Sequence, residues 1–331
     1  MKNPIRSEVD FDADGKNVGN LRLPHSVHRS AYGYIPIPVA SIKRGEGPTI
    51  LIMAGNHGDE YEGQILVSSL IRKIEPEMVS GQIILLPMAN FPAAEAGLRT
   101  SPIDNGNLNR LFPGDPTGTP TQVIADYIEN TLLSRAQYLV DLHSGGSSLL
   151  YDGCNMLALE PRTPEEDAHL RGILAAFGLT KAFLHAPNPV NISAAARRQG
   201  AISILTELGG GATVTSALLR EATQGLLHLL GYIKVLHGSI VPASAPTQTR
   251  FLRVEGAHHY VYASEHGLYE PLVGLGEQVS AGQPAALIHF PDNPMREPVL
   301  TVFASKGEVV LRRVQAAVRR GDCLFQLASD A

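Results

Sequence analysis

Four stretches of the chain are apolar without alternation. They are residues 49–54 (TILIMA), 82–87 (QIILLP), 138–142 (YLVDL) and 202–206 (ISILT). A strand with one wet face alternates apolar and polar positions. An unbroken run fits a strand buried on both faces, as in a parallel or mixed α/β sheet. Between these runs the period lengthens to that of a helix. Residues 63–74 carry Ile65, Leu66, Leu70 and Ile71 on one face, and residues 121–133 carry Val123, Ile124, Ile128 and Leu132. Residues 164–177 and 215–236 predict two further helices. The first of these opens on Thr163-Pro164-Glu165-Glu166, with proline in the first turn and acids against the positive end of the dipole. Strands alternating with helices predict an α/β domain whose helices cover both faces of the sheet.

The pattern differs at the two ends. Residues 1–45 read as short strands with turns, and the prolines of residues 33–39 suit a sheet edge. Residues 238–249 form a Pro/Ser/Thr-rich linker. Beyond it come short β-type runs such as residues 285–290 and 299–303, punctuated by glycine, with no long helix. Residues 276–284 (GEQVSAGQP) find an echo at 314–322. This resembles the small β-barrel of biotinyl/lipoyl-type domains. A lysine in the Met-Lys setting that such carriers modify is missing, which argues against a swinging arm. The predicted division is residues 1–240, with an N-terminal β segment at 1–45, followed by a C-terminal all-β, barrel-like domain at 241–331.

Composition narrows the function classes. The 331 residues are 44% hydrophobic and 18% charged, enough apolar matter for a full core. A disordered chain is excluded. Lys+Arg 27 against Asp+Glu 32 gives a formal charge of −5, so no basic excess points to nucleic acid. No apolar run approaches the roughly 18 residues of a membrane span. Residues 1–14 are charged and lack the apolar segment of a signal peptide. A cytoplasmic protein that binds neither membrane nor nucleic acid is expected. Cys154 and Cys323 are the two cysteines, far apart and without activating neighbours. They form neither a disulfide framework nor a metal knuckle. A metal site must therefore draw on the 12 histidines and on carboxylates.

The candidate chemistry lies where the apolar runs stop. The first runs into Ala54-Gly55-Asn56-His57-Gly58-Asp59-Glu60-Tyr61-Glu62-Gly63 and then a helix. Strand ends of this kind are where α/β folds bind ligands. His57 and Glu60, three apart across the turn, can reach one zinc ion or be plain polar turn residues. The third run ends in Asp141-Leu142-His143-Ser144-Gly145-Gly146. Two histidines and one glutamate make the donor set of a catalytic zinc with an open fourth position. The fourth run ends in Glu207 before three glycines. Glu207 is the candidate general base; its alternative is a capping or salt-bridge acid. A long polar loop, residues 97–114, carries Arg99, Asn109 and Arg110. Arg110 can hold a substrate carboxylate in a bidentate fork, with Asn109 adding a hydrogen bond. Arg99 can polarise a carbonyl, or form a surface salt bridge.

The order His57-x-x-Glu60, Asn109-Arg110, His143, Glu207 resembles the succinylglutamate desuccinylase/aspartoacylase family, within the wider zinc carboxypeptidase-like fold. The resemblance covers about residues 45–240, and a trailing β domain is typical of that family. It implies a mixed sheet flanked by helices and one Zn(2+) held by His57, Glu60 and His143. It also implies Glu207 as base, and Asn109 with Arg110 gripping a substrate carboxylate. Arg99 maps onto the family's carbonyl-polarising arginine across a stretch that is longer here. The fuller wording of residues 55–63 and 99–110 is similar to a subgroup that deacetylates an N-acetylated diamino acid during ectoine degradation. Its substrate carries a free side-chain amine, for which Asp104 and Glu62 are candidate partners. The implied reaction is hydrolysis of a small N-acylated amino acid. Removal of other acyl groups, a small-peptide carboxypeptidase and a non-catalytic binding protein are the rival readings, and a homo-oligomer is left open.

The remaining histidines show no ligand spacing. His258-His259 is the strongest decoy, because neighbours on a strand point to opposite faces. One exception is that a loop from the C-terminal domain leans over the site and touches substrate.

Overall fold

The four apolar runs become four adjacent, parallel strands. In spatial order these are Gly81–Leu86, Thr49–Ala54, Tyr138–His143 and Ile202–Gly210. The computed structural model describes residues 2–241 and 249–331. Its layers explain why the runs do not alternate. Ile50 and Ile52 pack into one core, while Leu51 and Met53 pack into another on the opposite face. All four are fully buried, and each such side chain contributes about 1.5–3 kcal/mol. The helices Tyr61–Lys73, Pro164–Phe177 and Ser216–Tyr232 supply the first core. Pro120–Tyr127 and Ile192–Arg198 supply the second.

The N-terminal segment extends the sheet through the antiparallel strands Tyr34–Arg44 and Gly15–Pro24. On the other side, Leu149–Leu159 runs antiparallel to Ile202–Gly210, and Lys181–His185 runs parallel to Leu149–Leu159. Neither of these two strands is marked by a continuous apolar run. Leu149–Leu159 contains Asp152, Gly153 and Asn155, and its pairing slips between Leu150 and Cys154. The helix expected over 121–133 is α-helical over Pro120–Tyr127 and then loosens into a π turn, Ile128–Leu132, and a 3-10 turn, Leu133–Arg135.

The C-terminal strands continue the same sheet. Arg250–Arg253 pairs with Lys181–His185, and Cys323–Asp330 pairs with Arg250–Arg253 and with Gly307–Arg313. Gly307–Arg313 then returns to pair with Leu149–Leu159. A second, four-stranded sheet is built from Val299–Val302, Pro284–His289, Gly267–Pro271 and Ala317–Val318. Its core is Tyr269, Ile288 and Phe303 against Phe325 and Leu327. Of the expected linker, residues 242–248 lie outside the described residues. Among the described residues no helix is long and apolar enough to cross a membrane.

Candidate active site

The parallel strands all end at one edge of the sheet, where two of them deliver the predicted ligands and a third the predicted base. Thr49–Ala54 leads into the turn bearing His57 and Glu60, Tyr138–His143 ends on His143, and Glu207 is that residue's neighbour on Ile202–Gly210. Gly63 sets the approach. A Cβ there would lie 2.7 Å from Leu142 Cβ and 2.8 Å from the Leu142 carbonyl oxygen. Only a glycine lets the start of Tyr61–Lys73 sit this close to the neighbouring strand, which brings Glu60 beside His143.

Glu60 is the hub. Its Oε1 lies 2.7 Å from His57 Nδ1, its Oε2 lies 2.8 Å from His143 Nδ1, and Oε2 also accepts the Ser144 backbone N–H at 3.0 Å. All three side chains are buried. The outward faces of both imidazoles are already committed. His143 Nε2 donates to Asp141 Oδ2 at 2.8 Å, and Asp141 in turn accepts from Asn56 Nδ2 at 2.9 Å. His57 Nε2 donates to Asn107 Oδ1 at 3.2 Å. With the protons held on Nε2, both Nδ1 lone pairs and the Glu60 carboxylate converge on one point. Their donor atoms lie within 4.8 Å of one another. This is the arrangement by which partners behind metal-binding histidines select tautomer and ring orientation. The donor set and its backing therefore fit a zinc ion.

Charge couples the same groups strongly. Burial pushes the Glu60 carboxyl up, but the His143 and His57 imidazoles outweigh burial and hold it below the ordinary range. Burial pushes His143 down, and Asp141 and Glu60 more than reverse it. Burial raises Glu207 well above the usual carboxylate range, and the nearby Glu60 charge adds to this. Tyr151 hydrogen-bonds Glu207, and Glu207 Oε2 is buried without a partner.

A cavity of about 450 Å³ opens over these groups and is lined by His57, Glu60, His143, Glu207, Arg99, Asn109 and Arg110, among others. The seven residues assigned in the sequence to metal, base, carbonyl and carboxylate thus meet in one place. Arg99 Nη1 stands 3.4 Å from His57 Nδ1 and 3.7 Å from Glu60 Oε1, at the edge of the ligand cluster. Arg110 Nη1 donates to the Asn109 carbonyl at 2.8 Å. Among the described residues no carboxylate pairs with Arg110, so its charge is free for an anion. Asn109 is committed at both ends: its Oδ1 accepts the Ile192 N–H at 3.0 Å, and its Nδ2 stands 3.4 Å from His143 Nε2 on the cavity wall.

Several expectations change. Asp104 is not at the cavity. Its carboxylate accepts from Gly106 N, Thr121 N and Thr121 Oγ1, tying the loop to the start of Pro120–Tyr127. Glu62 is buried in Tyr61–Lys73 and does not line the cavity either. His258 and His259 stand on a 3-10 turn, Ala257–His259, rather than on a strand. Their rings therefore lie 4.8 Å apart instead of on opposite faces, with Glu255 nearby. His259 is nonetheless satisfied by the Glu255 N–H and the Leu327 backbone. In place of a leaning loop, two C-terminal strands reach the cavity: Tyr260 and Tyr262 line it together with Gln326 and Cys323. Burial pushes the Cys323 thiol up to about 11, which suits an inert cysteine. The side chain of Cys154 lies outside the described ones.

Asn56, Asn107, Asp141 and Tyr151 also belong to the site, without having stood out in the sequence. Asp141 carried a usable signal, since residues two apart on a strand share a face. Asn107 and Tyr151 carried none, because both reach the site through loop and register geometry.

The succinylglutamate desuccinylase/aspartoacylase catalytic domain family matches residues 46–233. An N-alpha-acetyl-L-2,4-diaminobutyric acid deacetylase from Halomonas elongata is 38% identical over 327 residues, covering 98% of this chain and 95% of that protein. The product-bound structure of the ectoine utilization protein EutE (DoeB) from Ruegeria pomeroyi superposes with a TM-score of 0.93 at 35% identity, covering 99% of each chain. A succinylglutamate desuccinylase/aspartoacylase from Rhodobacter sphaeroides follows with a TM-score of 0.92 at 34% identity, covering 99% of this chain and 100% of that one. With a site of this composition, and with more than half its length matched, the chain belongs to the succinylglutamate desuccinylase/aspartoacylase family.

Proposed function

We propose that the protein is a zinc-dependent deacylase that removes an acetyl group from Nα-acetyl-L-2,4-diaminobutyrate. The observation that carries this reading is the convergence of the His57, Glu60 and His143 donor atoms beside Glu207 and an unpaired Arg110. The similarity to the Halomonas deacetylase and to EutE supports the substrate.

His57, Glu60 and His143 would hold the zinc, which supplies Lewis acidity to the attacking water and to the acyl carbonyl. Arg110, with Asn109 beside it, takes the α-carboxylate and sets the amide against the ligand cluster. That placement is an orientation effect. Glu207 accepts a proton from water on its free Oε2 as the new C–O bond forms. Arg99 donates hydrogen bonds to the developing oxyanion. Glu207 then returns the proton to the nitrogen as the C–N bond breaks, releasing acetate and the free amine. The raised affinity of Glu207 for a proton suits both steps. On this reading residues 1–240 are the hydrolase unit and residues 241–331 a β unit that walls the cavity. The return of Gly307–Arg313 onto Leu149–Leu159 closes a ring of strands, but two of them, Leu149–Leu159 and Lys181–His185, come from the hydrolase unit.

Glu207→Gln tests the proton-transfer role. The variant is expected to bind zinc as the parent does while turnover falls about 10²- to 10⁴-fold. Near-normal turnover overturns the assignment.

A further inference from the structure

A diamino acid presents the cavity with a positive side chain, and no spare carboxylate meets it. Among the described lining residues the carboxylates are Glu60 and Glu207. The first is a metal ligand and the second carries the reacting proton. Arg99 and Arg110 line the same cavity and repel an ammonium group. The residues contributed from beyond position 250 are of a different kind. Val254, Tyr260, Tyr262, Leu311, Cys323 and Gln326 include no charge.

Tyr260 and Tyr262 alternate on one strand, Tyr260–Tyr262, and so present the same face. Their rings lie 6.0 Å apart and 15° from parallel. Gln326 Nε2 donates to the Tyr260 hydroxyl at 2.7 Å and fixes that ring. Burial pushes both phenols up, which keeps them neutral. Neutral aromatic rings attract an ammonium group within about 6 Å through their quadrupole.

Resting on the deacetylase reading, we infer that Tyr260 and Tyr262 form the subsite for the substrate's side-chain ammonium. The C-terminal β unit thereby determines specificity for a diamino acid, in the place where Asp104 and Glu62 were expected to act.

The test compares two substrates of nearly equal size, Nα-acetyl-2,4-diaminobutyrate and Nα-acetyl-2-aminobutyrate, which lacks the amine. Tyr262 is 49% exposed at the cavity mouth, so its replacement does not open a core. Tyr262→Leu is expected to lower kcat/KM for the diamino substrate about 2- to 30-fold. The effect should fall mainly on KM, with hydrolysis of the amine-free compound unchanged. Tyr262→Phe keeps the ring and restores the preference, and Tyr260→Leu behaves as Tyr262→Leu does. Equal losses on both substrates, or no loss on either, overturn the subsite. Zinc-loaded parent protein that hydrolyses neither compound overturns the deacetylase reading itself, and the subsite with it.

Discussion

Replacing Asp141 with Asn isolates what the group behind a ligand contributes. Asp141 is fully buried, and its Oδ2 receives two donors, His143 Nε2 at 2.8 Å and Asn56 Nδ2 at 2.9 Å. Its other oxygen is buried without a partner. An asparagine can place its single oxygen where Oδ2 stands and keep both contacts. Its amide nitrogen then occupies the side that has no partner, so shape and packing are preserved while the charge is lost and a buried NH2 goes without an acceptor. A hydrogen bond to a charged acceptor is worth about 1.5–3 kcal/mol and a neutral one about 0.5–1.5 kcal/mol. The difference, about 1–1.5 kcal/mol, is a weakening of about 5- to 13-fold. Measured losses for partners behind metal-binding histidines span about 10- to 100-fold. Zinc affinity of Asp141→Asn should therefore fall about 10-fold, read by competition with a chromophoric chelator. The melting temperature of the metal-free protein should fall by a few degrees at most, because both hydrogen bonds survive in weaker form. Zinc affinity within twofold of the parent refutes the account of how His143 is held.

Three further outcomes are expected. Arg110→Ala should raise KM for N-acetyl amino acids at least 10-fold while leaving the amides of the same compounds unaffected, since a charged pair is lost in one case only; steady-state kinetics on the matched substrates decide it. Gly63→Ala forces Tyr61–Lys73 away from Leu142, so both stability and zinc affinity should fall although no ligand is changed, which chelator competition and thermal melting measure together. Burial raises the Asp104 carboxyl, but the Thr121 and Gly106 donors more than offset this and hold it below its usual 3.8. A depressed carboxylate stabilises the fold above its unfolded pKa and ceases to do so as pH falls through the folded value. Asp104→Asn should therefore destabilise the protein at neutral pH and narrow the gap from the parent below pH about 4, as followed by melting temperature against pH.

The central sheet was legible in the sequence because its strands are buried on both faces. That condition imposes an unbroken apolar run, and Thr49–Ala54 and Gly81–Leu86 obey it. Leu149–Leu159 escaped notice because it carries polar residues and a slip in register. The meeting of His57, Glu60, His143 and Glu207 was legible because strand ends in a parallel sheet share one edge, so residues far apart in sequence arrive together. Asn107 and Tyr151 were not, since their positions depend on loop path and cross-strand register. The Tyr260–Tyr262 wall shows the same limit. A contact between the two ends of a chain leaves no local period to read. The His258–His259 pair differs for a simpler reason: a 3-10 turn, unlike a strand, places neighbouring side chains side by side.

The measurement closest to the central claim is acetate release from Nα-acetyl-2,4-diaminobutyrate by one preparation in three states: as purified, after chelation, and after addition of one equivalent of zinc. The account predicts that chelation abolishes release and that a single equivalent restores it, with His143→Ala protein neither retaining zinc nor recovering activity. Undiminished release by the chelated protein, or stoichiometric zinc retained by His143→Ala, would contradict it.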